Sequence, residues 1–137
     1  MTNEADVYNA LKYRIEVDQH GTRRYYNSAG RLHRTDGPAI VWGVVAGGEW
    51  YINGVLHRED GPAIEWAAGS EWYINGLLHR EDGPAAVYSD GNEWWLNGVR
   101  HRIGGPAVMR HDGTCRWFLD GFEYTERGYY KKLKQLK

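Results

Sequence analysis

The alternation of apolar and polar residues recurs about every 22 residues over most of the chain. In one copy, residues 63–66 alternate, residues 67–70 are mostly small, and residues 71–74 are rich in strand-forming types. This pattern predicts a β-hairpin. Asn75-Gly76 then supplies two residues suited to the left-handed positions of a tight turn, which returns the chain toward the next copy.

Two sequence blocks recur at nearly the same period along the chain and define the copies. The block His-Arg-x-Asp-Gly-Pro-Ala, with Gly in place of Asp in its last occurrence, starts at His33, His57, His79 and His101, at spacings of 24, 22 and 22 residues. A block of two aromatic residues, one aliphatic residue, Asn or Asp, and Gly occupies residues 50–54, 72–76, 94–98 and 117–121. Such periodicity predicts a repeat architecture. The predicted hairpins span about residues 13–26, 39–52, 63–74, 85–96 and 107–119.

The predicted fold class is all-β, with tandem hairpins over residues 13–121 in a single-layer, twisted antiparallel sheet or solenoid. Both ends depart from the repeat, as capping units of a stack do. Residues 122–137 are predicted to form a short basic helical cap, and residues 1–12 a second helical cap.

Composition narrows the range of functions. Seven Trp and ten Tyr against two Phe favour a sheet faced by amphipathic rings. With 17 Lys+Arg against 18 Asp+Glu, the net charge of -1 disfavours nucleic acid and an anionic membrane as partners. Cys115 is the single cysteine, the N-terminus is polar and acidic, and no apolar run approaches the ~20 residues of a membrane span. We therefore expect a cytoplasmic protein without a membrane partner.

The histidine column is interpreted as structural. If each copy adds one two-stranded hairpin, equivalent histidines lie roughly 9–10 Å apart. Zinc ligands lie only ~2 Å from the metal, so neighbouring copies cannot share an ion through these rings alone. No metal or cofactor is predicted. Each ring is instead expected to pack under an Asn-Gly turn and to form a hydrogen bond with the next loop.

The arginine column allows two interpretations. In three copies an Asp follows the Arg two residues later, at Arg34/Asp36, Arg58/Asp60 and Arg80/Asp82. This spacing favours a local clamp on the Asp-Gly-Pro turn, with ligand binding as the alternative. The fourth copy lacks that Asp, so its basic residues are predicted to form an anion-binding patch. The patch comprises Arg100, Arg102, Arg110 and Arg116.

Three aromatic columns run along the array. They are Trp50/Trp72/Trp94/Trp117, Tyr51/Tyr73/Trp95/Phe118 and Trp42/Trp66/Tyr88. Adjacent strand residues point to opposite faces, so at least one column lies outside a single core. Its rings either shield the sheet or anchor a partner. The predicted partner-binding rings are Trp42, Tyr51, Trp66, Tyr73, Tyr88 and Trp95.

The tip of the second hairpin, residues 43–48, is two residues longer than its equivalents. It carries Val44 and Val45 between glycines, which is unusual for a turn exposed to water. These valines are assigned to the partner-binding set. A tolerated loop insertion explains them equally.

Catalytic signatures are lacking in the sequence. It contains no phosphate-binding Gly-rich loop with Lys-Ser/Thr, no G-x-S-x-G and no Cys-x-x-Cys pair. A repeat presents rows of like groups, whereas a catalytic site requires unlike groups at one point. The chain is therefore predicted not to be an enzyme.

The run Trp72…Asn75-Gly76-Leu77-Leu78-His79…Gly83…Gly91…Trp94 resembles a MORN-type repeat, and the resemblance covers residues 13–121. It departs from that family where Arg follows the histidine in place of glycine, and where Gly-Pro-Ala replaces a later glycine pair. This variant resembles uncharacterised repeat proteins of phages, bacteria and large viruses. The resemblance implies the fold but leaves function open, because MORN-like arrays act as scaffolds, membrane-associated platforms and partner-binding surfaces.

The leading hypothesis is a non-catalytic protein that presents an aromatic, Arg-studded surface to another protein. The resemblance to phage-encoded repeats narrows this to an inhibitor of a host defence component in the host cytoplasm. The alternative is a protein that sequesters a nucleotide-like anion between Arg side chains and aromatic rings. Pairing of open edge strands into a homo-oligomer stays a further possibility.

Overall fold

The computed structural model describes residues 12–136 and contains one large antiparallel sheet built from hairpins. The eleven strands of this main sheet are β1 (Arg14–Val17), β2 (Arg23–Tyr26), β3 (Ile40–Val41), β4 (Gly47–Glu49), β7 (Ile64–Trp66), β8 (Gly69–Glu71), β11 (Ala86–Tyr88), β12 (Gly91–Glu93), β15 (Val108–Arg110), β16 (Cys115–Leu119) and β17 (Phe122–Tyr124). They neighbour one another in chain order, and the sheet stays open. The predicted all-β hairpin repeat is confirmed.

Three small hairpins lie beside the main sheet, one in each middle copy. They pair β5 (Tyr51–Ile52) with β6 (Val55–Leu56), β9 (Tyr73–Ile74) with β10 (Leu77–Leu78), and β13 (Trp95–Leu96) with β14 (Val99–Arg100). Each turns on two left-handed residues, such as Asn75 at φ 50° and Gly76 at φ 80°. This is the geometry that Asn-Gly favours in a two-residue loop.

Each copy bends at one aromatic residue between the main sheet and the small hairpin. The Trp72 N–H donates to the Ala85 carbonyl of the next copy at 2.7 Å, and the Trp72 carbonyl accepts from the His79 N–H at 3.0 Å. One backbone unit therefore joins two copies, and it also joins the main sheet to a small hairpin. The same two bonds recur at Tyr25, Trp50 and Trp94.

Neighbouring small hairpins are joined to each other in the same way. The Arg58 N–H donates to the Tyr73 carbonyl at 3.0 Å, and the Gly76 N–H donates to the Leu56 carbonyl at 2.8 Å. Equivalent bonds occur between the other small hairpins. Backbone hydrogen bonds thus join successive copies both in the main sheet and between the small hairpins.

The core is thin, because each copy contributes one small buried side chain to it. The alanines of the Gly-Pro-Ala blocks are fully buried, at Ala39, Ala63, Ala85 and Ala107. The larger buried side chains include Val108, Phe118 and Leu119 near the C-terminal end and Tyr13 and Tyr25 near the other. End copies therefore supply most of the buried apolar volume.

A C-terminal helix, α1 (Glu126–Gln135), covers the last hairpin, as predicted. Thr125 caps it by accepting the Gly128 N–H, and Tyr129 is its buried residue. The predicted cap region 122–137 begins with a strand, because Asp120-Gly121 forms the same left-handed turn as Asn-Gly and extends the sheet by β17. The predicted N-terminal cap over residues 1–12 lies outside the described residues, apart from Lys12. Within residues 12–136, no helix is both long and apolar enough to cross a membrane.

Candidate partner-binding faces

Each repeat histidine holds the turn of the following copy. The Nδ1 atom of His57 accepts the Asn75 N–H at 3.0 Å, and His33, His79 and His101 make the equivalent bond. The predicted structural role is confirmed. Because Nδ1 is an acceptor, a neutral ring carries its proton on Nε2. No cluster of three or more metal-ligating side chains occurs among the described residues.

The repeat arginines form a ladder with aromatic rings. The Arg80 guanidinium carbon lies 3.9 Å from the centre of the Trp72 ring, its Nε donates to Asp82 at 3.0 Å, and its Nη1 donates to the Pro84 carbonyl at 3.2 Å. The predicted Arg–Asp clamp is confirmed here and at Arg34/Asp36 and Arg58/Asp60. This Arg–aromatic ladder comprises Arg34 on Tyr25, Arg58 on Trp50, Arg80 on Trp72 and Arg102 on Trp94.

Sequence reasoning missed the stacking. A constant offset of eight residues separates Trp50 from Arg58, Trp72 from Arg80 and Trp94 from Arg102, and could have indicated it.

The charge exposed on the ladder side is negative rather than positive. The Arg58 side chain is 19% exposed, whereas its partner Asp60 is 83% exposed. Glu59 and Glu81 are both 84% exposed. The expectation of an Arg-studded surface is therefore corrected: ring stacking and carbonyl bonds draw the guanidinium groups inward and leave carboxylates at the surface.

Three equivalent grooves open between successive His-Arg-x-Asp loops. The middle one, of about 490 Å³, is lined by Trp72, Ile74 and His79, with Glu59 and Glu81 from adjacent loops. The grooves at Trp50 and Trp94 measure about 470 and 350 Å³ and use the equivalent positions. We call these the loop grooves.

The predicted partner-binding rings meet on the other side of the sheet, around glutamates that sequence reasoning missed. Glu49 accepts the Trp42 indole N–H and the Tyr51 hydroxyl, both at 3.1 Å. A Glu directly before the Trp in three copies, at Glu49, Glu71 and Glu93, was the available signal.

The next copies repeat this arrangement. Glu71 accepts the hydroxyls of Tyr73 and Tyr88 at 3.0 and 2.8 Å. The Trp66 ring packs 6.3 Å from that of Tyr88, and Trp95 donates to Glu93 at 3.4 Å. We define the aromatic face as the half-buried rings of Trp42, Tyr51, Trp66, Tyr73, Tyr88 and Trp95.

The glutamates change the titration of these tyrosines. Burial, reinforced by the neighbouring glutamate, raises the pKa of Tyr51 and Tyr73 to about 12, and burial with the Glu71 hydrogen bond raises the pKa of Tyr88. A phenol with a raised folded-state pKa favours the fold below its unfolded pKa near 10 and loses that contribution as pH rises through the folded value. Stability is therefore expected to fall above about pH 10.

Spectrophotometric titration at 295 nm tests this arrangement. We expect a late phase near pH 12 from Tyr51 and Tyr73, and a late titration of Tyr88 as well, because its pKa is also raised. Glu71→Gln should move Tyr73 and Tyr88 to lower pH because it removes the adjacent negative charge. A matched Glu126→Gln variant on α1 should leave the late phase in place. A single transition near pH 10 in the folded wild type would contradict the glutamate contacts.

The two predicted tip residues are exposed to solvent. Val44 is 76% exposed and Val45 is 62% exposed, in the loop between β3 and β4. This position suits either a partner contact or a tolerated insertion.

The four arginines of the predicted anion patch do not form a cluster of unpaired positive charges. Arg100 and Arg110 both donate to the buried Glu93, at 2.7 and 3.3 Å. Arg100 pairs with Glu93 because the turn at residues 97–98 carries it back beside Trp95 and Glu93.

The other two arginines of the patch differ from each other. Arg116 forms a two-pronged pair with Glu123 at 2.8 and 3.0 Å, which lowers the pKa of Glu123. Arg102 stacks on Trp94, and no described carboxylate lies within ion-pair distance of it. Of the four arginines of the predicted patch, Arg102 is therefore the one whose charge is not paired with a described carboxylate.

Fold and faces together define a β-hairpin repeat protein with a helical cap. No family model, curated protein or solved structure matches the chain.

Proposed function

We propose that the chain is a non-catalytic binding protein that engages another protein through the aromatic face. The observation that carries the proposal is the glutamate row. Glu49, Glu71 and Glu93 hold five of the six rings in place by hydrogen bonds. Rings that are ordered before binding bury a large area at small entropic cost, which is why Trp and Tyr dominate protein-binding hot spots.

The polar groups of the array support a non-catalytic role. Each repeat histidine uses Nδ1 to hold a turn, and three of the four ladder arginines are paired with an Asp. A general base or a nucleophile needs a reactive atom that is free to meet a substrate. The histidines are instead committed to holding the turn of the next copy, and the arginines to holding the Asp-Gly-Pro turn of their own loop.

The narrower proposal is an inhibitor of a host defence component that acts in the host cytoplasm. Its support is the resemblance of the His-Arg-x-Asp-Gly-Pro-Ala block to phage-encoded repeats, and the MORN-like assignment is likewise a proposal from that resemblance.

Quantitative affinity capture from bacterial lysate tests the proposed function. We expect a protein recovered by the wild type to be lost at least tenfold with Trp66→Ala and Tyr88→Ala, since these rings contact each other on the aromatic face. Phe122→Ala is the matched control, because Phe122 is 70% exposed and lies outside that face. Failure of the wild type to recover any protein above background, or equal loss in the control, would overturn the proposal.

A second candidate, sequestering a nucleotide-like anion, is favoured by Arg102 alone. Its guanidinium lies over Trp94 at 3.8 Å beside a loop groove, without a carboxylate partner among the described residues. A thermal-shift screen with nucleotides separates the two candidates. A ligand at 100 times its Kd stabilises by about 2.7 kcal/mol, so unchanged melting across the screen would remove this candidate.

A further inference from the structure

We propose that the loop grooves bind an extended basic segment of the partner, with Lys or Arg at every third residue. This deepens the proposed function and rests on it in one respect, that the partner is a protein. The grooves lie on the ladder side of the sheet, so this contact is separate from the aromatic face.

The lining of the middle groove matches a long cationic side chain. Trp72 and Ile74 supply an apolar floor, and Glu59 and Glu81 stand at its two sides. Lys and Arg lay an aliphatic stem on apolar surface while the charged head stays in a polar setting.

The two glutamates are available to such a cation. Glu59 and Glu81 each lie near only a histidine Nε2, at 3.5 and 3.8 Å, and neither pairs with a described Lys or Arg. Asp60 and Asp82 differ, because each accepts an arginine Nε at 3.0 Å. The groove therefore exposes two negative charges that the fold itself does not neutralise.

The neighbouring guanidinium groups do not cancel this charge at the surface. Arg58 and Arg80 are 19% and 24% exposed, against 84% for the glutamates. Arg58 is also shared with Glu65 at 2.7 Å. An incoming cation meets the carboxylates first, and an anion such as a phosphate backbone meets repulsion.

The repeat spacing selects the shape of the ligand. Each copy adds two main-sheet strands, so adjacent grooves lie about 9–10 Å apart. Side chains three residues apart point to opposite faces of a β-strand, but three residues of a polyproline II helix complete one turn and rise about 9.3 Å. Side chains three residues apart can therefore enter neighbouring grooves without bending the ligand.

The end grooves differ from the middle one in a way that orders the segment. Beside Trp94, the 60% exposed Ile103 stands where the other copies carry Glu59 and Glu81. Beside Trp50, Thr35 takes the place of the acidic residue on one side. The middle groove has the most acidic lining, so the central cation of the segment is expected to bind there, and the cation in the Trp94 groove is expected to bind less tightly.

Fluorescence anisotropy with labelled synthetic peptides tests the inference on the full chain. One peptide carries Lys at every third residue in a Ser/Pro background, and a second has the same composition with its Lys residues contiguous. At low salt we expect the spaced peptide to bind at least fivefold more tightly, and its affinity to fall as salt screens the charges. Equal affinities for the two peptides would overturn the spacing argument.

Substitutions locate the contact. Glu59→Gln together with Glu81→Gln should weaken binding of the spaced peptide at least tenfold, while Glu126→Gln on α1 should change it less than twofold. The double variant should keep the wild-type melting temperature, because both side chains are exposed. Binding that the double variant leaves unchanged, or tighter binding of an acidic peptide or duplex DNA, would overturn the inference.

The two proposals fail separately. If the aromatic-face variants lose the protein captured from lysate but the peptides do not bind at the grooves, only the groove inference is disproved. If peptide binding depends on Glu59 and Glu81 but the Trp66 variant still captures the same protein, only the role of the aromatic face is disproved.

Discussion

Tyr129→Ala is expected to lower the free energy of unfolding by about 3–5 kcal/mol, the range for deletion of a fully buried aromatic ring. Tyr129 is 0% exposed and its ring centre lies 5.0 Å from that of Trp117. Its hydroxyl donates to the Arg102 carbonyl at 2.5 Å and accepts the Gly104 N–H at 2.8 Å. The substitution removes a ring that closes the last copy, together with the hydroxyl that bonds the Arg102 carbonyl and the Gly104 N–H.

Urea unfolding followed by Trp fluorescence measures this change. The neighbouring Tyr130→Ala is the matched control, because Tyr130 is 42% exposed, and it should cost about 1 kcal/mol. Tyr129→Phe should cost an intermediate amount, about 1–3 kcal/mol, because it removes only the hydroxyl. Equal losses for Tyr129→Ala and Tyr130→Ala would show that α1 does not close the array through Tyr129.

Gly69→Ala is expected to destabilise the middle of the array by about 1–3 kcal/mol, the range for forcing extra atoms into a filled site. A Cβ at Gly69 would lie 2.1 Å from the Val87 carbonyl oxygen of the adjacent strand. That oxygen belongs to the backbone of β11, which pairs with β8 through Val87 and Ser70. The two strands must therefore separate to admit one methyl group.

A second glycine separates crowding from backbone conformation. Gly113 has φ 92°, and a Cβ added there would have no neighbouring atom within 4 Å. Gly113→Ala therefore tests conformation alone and should cost about 1–2 kcal/mol. Backbone amide exchange distinguishes the two variants further. Exchange should accelerate across β8 and β11 only for Gly69→Ala, and unchanged protection there would contradict the close approach of these strands.

The hairpins, turns and helical cap could be predicted because their signals are local. Asn-Gly forms the two-residue turn at residues 53–54, 75–76 and 97–98. Each repeat histidine accepts a turn N–H that lies 18 to 20 residues further along the chain. The capping helix begins after Thr125, a favoured N-cap residue.

The contacts that build the two faces could not be predicted with the same directness. They depend on which side chains meet once each copy bends at its aromatic junction. Glu49 reaches both Trp42 and Tyr51, and Arg100 returns to Glu93, only because the small hairpin folds back beside the main sheet. Periodicity showed that equivalent residues align, but not which different residues become neighbours.

The backbone bonds between copies have a consequence for how such a protein changes length. Among the described residues, the aromatic junctions and small hairpins bond only to adjacent copies. Removing residues 57–78 would join Leu56 directly to His79, which restores the Leu-His-Arg order found at Leu78-His79-Arg80. Loss or duplication of one whole unit therefore leaves every remaining backbone bond between copies possible. Such a change alters the number of loop grooves and preserves the first and last copies.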